Sequence, residues 1–191
     1  MDYSNHITDY FNDLRKVFDI MDITPISNFI NLMKDAAASG RKVYICGNGG
    51  SASTASHFVG DYNKGLKEYN FDFICLSDNI PAMMAIANDI SYDEIFRYQL
   101  KNKLTENDIV IGISGSGNSK NVINAIEYAR ECGAFTVGIT GYDGGVIKRL
   151  CDLSIHFAIN DMQIAQDLHL ILNHMSMRIL KEEKAHENLV D

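Results

Sequence analysis

Residues 42–61 read KVYICGNGGSASTASHFVGD. The stretch begins as a short apolar β-type run at 43–46 and breaks into Gly47-Asn48-Gly49-Gly50-Ser51. It continues through small, helix-compatible residues at 52–59. The order is strand, glycine loop, helix. A helix start exposes unpaired backbone N–H groups and the positive end of the macrodipole, so it suits an anion. Glycines let the backbone come close to that anion and turn at positive φ. Ser51 adds a hydroxyl at the helix entry. A phosphate or sugar-phosphate site is expected here, an ordinary strand-to-helix turn being the alternative. The loop is neither a GxGxxG fingerprint nor a Walker A loop.

Upstream, Phe11, Leu14, Val17, Phe18 and Met21 recur at helical spacing. Pro25 punctuates, with Thr24 as a possible N-cap. A second helix carries Ile26, Phe29, Ile30, Leu32 and Met33 on its apolar side and is capped by Gly40. Downstream, strands are expected at 71–76, 109–113, 135–139 and 152–159. Helices are expected at 82–87, at 93–104, from Val122 to the stop at Gly133, at 146–150, and from about Met162 into 181–183. Strands alternating with helices predict an α/β fold, a doubly wound parallel sheet flanked by helices. In such sheets ligands sit at the carboxyl ends of the strands. One domain spans 1–191: helices over 1–40, a sheet-helix core over 41–180 and a polar tail over 181–191.

A chain of 191 residues buries a sizeable core. Its 46% hydrophobic and 22% charged content is that of a soluble globular protein. A net charge of −8 argues against nucleic acid or an anionic membrane as partner, though not against a small anionic substrate. No N-terminal apolar signal and no run of transmembrane length is seen. Cys46, Cys75, Cys132 and Cys151 form no CxxC pair and read as reduced thiols of a cytoplasmic protein.

The loop after the third strand holds Ser114, Ser116 and Ser119 between Gly115, Gly117 and Asn118. Hydroxyls donate to phosphate oxygens, and glycines expose backbone N–H groups. Neither loop contains Lys or Arg, which favours neutral donors around a monoester over triphosphate chemistry. His57 and Asp61, four apart, share a helix face. Gln166, His169 and His174 recur along the last helix, with Gln166 and His174 eight apart. A site of His57, Asp61, Gln166 and His174 would hold a divalent metal through N and O ligands or act as an acid–base pair; ordinary polar positions are the alternative.

Together these residues resemble a known family. Gly47-Asn48-Gly49-Gly50-Ser51-Ala52, His57 and Asp61, Asn88-Asp89 and the run from Gly112 to Ser119 are similar to the sugar isomerase (SIS) domain. So are Thr140-Gly141 before Gly144-Gly145, and Gln166-Asp167-Leu168-His169 with His174. Within that family the likeness is to the phosphoheptose isomerases, over nearly the whole chain. The resemblance implies an aldose–ketose isomerase that converts sedoheptulose 7-phosphate to D-glycero-D-manno-heptose 7-phosphate through an ene-diol, towards activated heptose for lipopolysaccharide or capsule. It also implies a homotetramer with sites at subunit interfaces. By motif, Ser51, Ser114, Ser116 and Ser119 hold the phosphate and Asp89 contacts sugar hydroxyls. Asn48, Gly49 and Gln166 complete the substrate set. Asp61 falls on the catalytic base and His174 on its acid–base partner. The zinc ligands fall on His57, Asp61, Gln166 and His174.

Three departures stand out. Asp61 replaces a glutamate and reaches one methylene less far. Gly115 replaces a threonine and removes a hydroxyl. Asp167 replaces a glutamate. The run Asp61-Tyr62-Asn63-Lys64-Gly65 also differs from the common continuation, marking a divergent branch. Two further readings stay open: an isomerase of another sugar phosphate, and a non-catalytic sugar-phosphate-binding adaptor.

Overall fold

The strand Ile109–Ser114 is buried at every position, so both of its faces must be covered. A computed structural model shows how; it describes residues 1–190, and Asp191, the end of the expected polar tail, lies outside them. The strands are β1 (Lys42–Gly47), β2 (Asp72–Cys75), β3 (Ile109–Ser114), β4 (Phe135–Thr140) and β5 (Leu153–His156). They form one parallel sheet in the order β2-β1-β3-β4-β5. The helices are α1 (Ser4–Ile20), α2 (Thr24–Ser39), α3 (Gly50–Gly65), α4 (Ile80–Asp89), α5 (Arg97–Leu100), α6 (Lys120–Glu131), α7 (Ile147–Leu150) and α8 (Met162–Val190).

Alternation along the strands sorts the core into two layers. Val43, Ile45, Ile111 and Ile139 meet Phe29, Phe58 and Leu168 from α2, α3 and α8. Tyr44, Cys46 and Val110 meet Phe96, Ile126 and Ile147 on the opposite face. Replacing a fully buried side chain such as Ile111 by alanine costs about 2–5 kcal/mol, because the packed surroundings collapse only in part. α1 lends Tyr10, Leu14 and Val17 to the first layer, and Met21, just past its end, joins them. It leaves Ile7, Phe11 and Phe18 exposed.

The doubly wound fold read from the sequence is the observed one, with local differences. Thr24 lies inside the first turn of α2, and the carboxylate of Asp22 accepts its backbone N–H at 2.9 Å. The helix expected at 93–104 is broken into a 3-10 turn, Tyr92–Glu94, and the short α5. The side chain of Gln99 donates to the carbonyls of Leu76 and Ile95, and Asn102 turns into the left-handed region at φ 62°. That conformation ends a helical ladder. β5 stops at His156 because the chain folds back at once, the N–H of Ile159 donating to the carbonyl of Phe157 at 2.8 Å. All four cysteines are free thiols. Among the described residues no helix is long and apolar enough to cross a membrane.

His169 is fully buried on α8 beside Phe157, and neither ring nitrogen has a hydrogen-bond partner. Burial disfavours the imidazolium and pushes the pKa down to about 4. The unfolded chain takes up this proton near pH 6.5 and the folded chain near 4. The stabilisation is therefore complete above 6.5 and is lost as pH falls towards 4, in total on the order of 3 kcal/mol. Calorimetry of wild type and His169→Leu from pH 7.5 to 4 should show the wild-type melting temperature falling more steeply below 6.5.

Candidate active site

β1 and β3 pair in parallel with Gly47 opposite Ile113, and from this pair the sheet extends to β2 on one side and to β4 and β5 on the other. The loops after both strands leave the same edge at this topological switch point, where doubly wound sheets form their ligand crevice. Gly49 adopts φ 54° and delivers the chain into α3, where Ser51 is buried. In the second loop the hydroxyl of Ser114 donates to Ser119 Oγ at 3.0 Å, and Ser116 Oγ accepts the N–H of Asn118 at 3.2 Å. Ser116 keeps its own proton free to donate. Gly117, at φ 66°, lies so close to the next loop that a Cβ there would stand 2.0 Å from the carbonyl oxygen of Gly144. That loop backs the serines: Gly141 N–H donates to the carbonyl of Gly115 at 2.9 Å, and Ile147 N–H to that of Gly117 at 3.0 Å.

The two loops are tied through Asn48 by Asn121 and Tyr92, two residues that sequence patterns did not single out. Asn48 and Asn121, at the start of α6, exchange reciprocal amide hydrogen bonds of 2.9 Å. Tyr92 donates its hydroxyl to Asn48 Oδ1 at 3.0 Å. The Asn48 carbonyl is thus taken twice, and its side chain fixes the crevice. Asp89 is exposed at the end of α4 and accepts from Asn88 at 2.8 Å. It stands three residues ahead of Tyr92.

Further along α3, one helical turn sets His57 and Asp61 on the same side, and α8 brings His174 across to them. His57 Nε2 lies 3.2 Å from Asp61 Oδ2, His174 Nε2 lies 3.8 Å from it, and the two imidazole nitrogens are 3.0 Å apart. The three ligand atoms form a compact triangle, with both histidines about half exposed and Asp61 more sheltered. Tetrahedral zinc with bonds of 2.0–2.1 Å has edges of about 3.3 Å, so this N, N, O set fits such an ion with room for a further ligand. Gln166 stands elsewhere: its carboxamide lies against Gly50, where a Cβ would meet Oε1 at 2.2 Å. Gly50 and Asp61 are roughly 16 Å apart along the helix axis, from its 1.5 Å rise per residue. The four expected ligands thus divide into a triad and a glutamine beside the glycine loop. Asn173, fully buried on α8, donates to Asp61 Oδ2 at 2.7 Å. No spacing rule pointed to it, since it reads as one more polar residue on a long helix.

Comparison with known proteins agrees in extent with this architecture. The SIS domain family matches residues 6–141. The phosphoheptose isomerase of Aliarcobacter butzleri is 36% identical over 175 residues, 91% of this chain and 92% of that one. The phosphoheptose isomerase of Helicobacter pylori P12 is 37% identical over 163 residues, 83% of this chain and 84% of that one. The structure of phosphoheptose isomerase GmhA from Neisseria gonorrhoeae superposes with a TM-score of 0.85 at 28% identity, covering 94% of this chain and 96% of that one.

Gly117→Ala tests the crevice. A Cβ would be strained at positive φ by about 1–2 kcal/mol and would also displace the carbonyl of Gly144. A lower melting temperature and weaker binding of inorganic phosphate, followed by calorimetry, are expected together.

Proposed function

The chain belongs to the SIS domain family, and from that premise we propose that it is a phosphoheptose isomerase. It interconverts sedoheptulose 7-phosphate and D-glycero-D-manno-heptose 7-phosphate through an ene-diol. The observation that carries this reading is the triad of His57 and Asp61, on the helix whose start lines the serine-rich crevice, with His174 brought to them by α8.

The crevice binds the phosphate. Ser51, Ser114, Ser116 and Ser119 donate hydroxyl hydrogen bonds, and the starts of α3 and α6 add backbone N–H groups. Gln166, Asn48 and Gly49 line the same loop, and Asp89 meets sugar hydroxyls. Ser51 and His57 are six residues apart, about 9 Å along α3. That separation suits a sugar whose carbonyl lies several carbons from its phosphate. The Asp61 carboxylate removes the proton from the carbon beside the carbonyl. The imidazole of His174 gives a proton to the carbonyl oxygen, which completes the ene-diol. Asp61 then returns its proton to the other carbon while His174 takes the proton of the neighbouring hydroxyl, which shifts the carbonyl by one position. His57, Asp61 and His174 would hold a divalent ion such as zinc, which when bound supplies Lewis-acid stabilisation of developing oxygen charge.

Assembly into a homotetramer with sites at subunit interfaces is part of the proposal. Ile7, Phe11 and Phe18 of α1, each at least 42% exposed, supply apolar surface for such contacts. The half-exposed His57 and His174 leave room for a neighbouring subunit to close the site. Four free thiols support a cytoplasmic location.

An NMR time course with sedoheptulose 7-phosphate tests the activity. Wild type should convert the substrate and Asp61→Asn should not, with its fold unchanged by circular dichroism. No conversion by folded, zinc-loaded wild type would overturn the assignment. Ser116→Ala should raise KM by about 5–150-fold, the equivalent of roughly 1–3 kcal/mol for a phosphate oxygen left unpaired.

A further inference from the structure

Asn173 combines two features that pull against each other. Its side chain is fully buried and gives Nδ2–H to Asp61 Oδ2 at 2.7 Å. Its own Oδ1 is buried with no hydrogen-bond partner. A buried acceptor left unpaired weakens a fold, and an apolar side chain of similar size would avoid this. A residue kept where local packing prefers another kind marks a functional demand. The demand is visible at the other end of the hydrogen bond. Asp61 Oδ2 is the same atom that His57 Nε2 approaches to 3.2 Å and His174 Nε2 to 3.8 Å.

We propose that Asn173 is a positioning residue for this site. Its amide fixes Asp61 Oδ2 between the two imidazoles, so that this short carboxylate is held where both can reach it. Asn173 stands beside His174 on α8, so one helix supplies both an imidazole and the donor that aims the carboxylate at it. Neither substrate nor metal needs to touch Asn173. Outer groups that hydrogen-bond a ligating carboxylate set its orientation. The inference rests on the role given to Asp61 in the proposed function.

Asn173→Leu tests it with two readouts. In the isomerase assay kcat should fall by about 10–100-fold, while KM, set by the serine crevice, stays within about twofold. In a titration of metal-free protein with Co²⁺, followed by its visible absorption, affinity should fall by a similar factor of about 10–100. The melting temperature should hold or rise, because the orphan acceptor is gone. Adding Asp61→Glu to Asn173→Leu should restore much of kcat, since the longer side chain no longer needs the amide. Asn173→Gln, which keeps an amide but displaces it, should lose kcat at an unchanged melting temperature. The proposal is overturned if Asn173→Leu retains wild-type kcat and Co²⁺ affinity. It is also overturned if kcat and melting temperature fall together and Asp61→Glu restores nothing. Should wild type convert no ketose phosphate, the isomerase assignment fails by itself. The Co²⁺ titration then decides on Asn173: weakened binding supports its role and unchanged binding rejects it.

Discussion

The parallel pairing of β1 with β3 is the constraint from which the rest follows. Parallel neighbours cannot be joined by a tight turn, so every connection is a crossover that lays a helix on one face of the sheet. Both strands therefore point their carboxyl ends at one edge, and the chain winds away from them in opposite directions to β2 and to β4 and β5. The glycine loop and the serine loop are brought side by side without any contact between them having to create the arrangement. The Asn48–Asn121 amide pair then holds a separation that the sheet has already set.

A second consequence concerns distance. α3 begins at the glycine loop and carries His57 and Asp61 further along its length, so one rigid rod spaces that loop from the triad. α8 packs on this rod through buried polar residues as well as apolar contacts. Asn173 and Ser176 are fully buried; Asn173 donates to Asp61 at 2.7 Å, and Ser176 shares a 2.8 Å hydrogen bond with the hydroxyl of Tyr62, both partners on α3. Net hydrogen bonds of this kind contribute about 0.5–1.5 kcal/mol each, less than well-packed apolar pairs can give. What the polar seam adds is register: α8 fits α3 in the one alignment that places His174 beside His57.

Much of this was legible in the sequence because it depends on local pattern. The apolar run of β3, the two loops and the His57–Asp61 spacing are each written in consecutive residues. The break at α5 was not, since Gln99 is satisfied by a carbonyl of Leu76, more than twenty residues back. Tyr92, Asn121 and Asn173 escaped for the same reason. Each matters through a partner that is remote in the chain, and Asn or Tyr on a helix or turn has no signature of its own. Helical periodicity also put Gln166 and His174 within reach of one site. The contact of Gln166 with Gly50 depends instead on where α8 crosses α3, which periodicity does not encode.

Three positions singled out in the sequence, 61, 115 and 167, each have a specific neighbour in the fold. Asp61 is met by the amide of Asn173 at 2.7 Å. The space beside Gly115, where a Cβ would stand 2.6 Å from Met162 Sδ, is filled by that methionine, so the glycine leaves no hole. Asp167 accepts the Tyr10 hydroxyl at 2.6 Å, which pushes the phenol up to about 12 and fastens α1 to α8 beside Gln166. Asn173, Met162 and Tyr10 thus fix the Asp61 carboxylate, the serine loop and the N-terminal helix from within one chain.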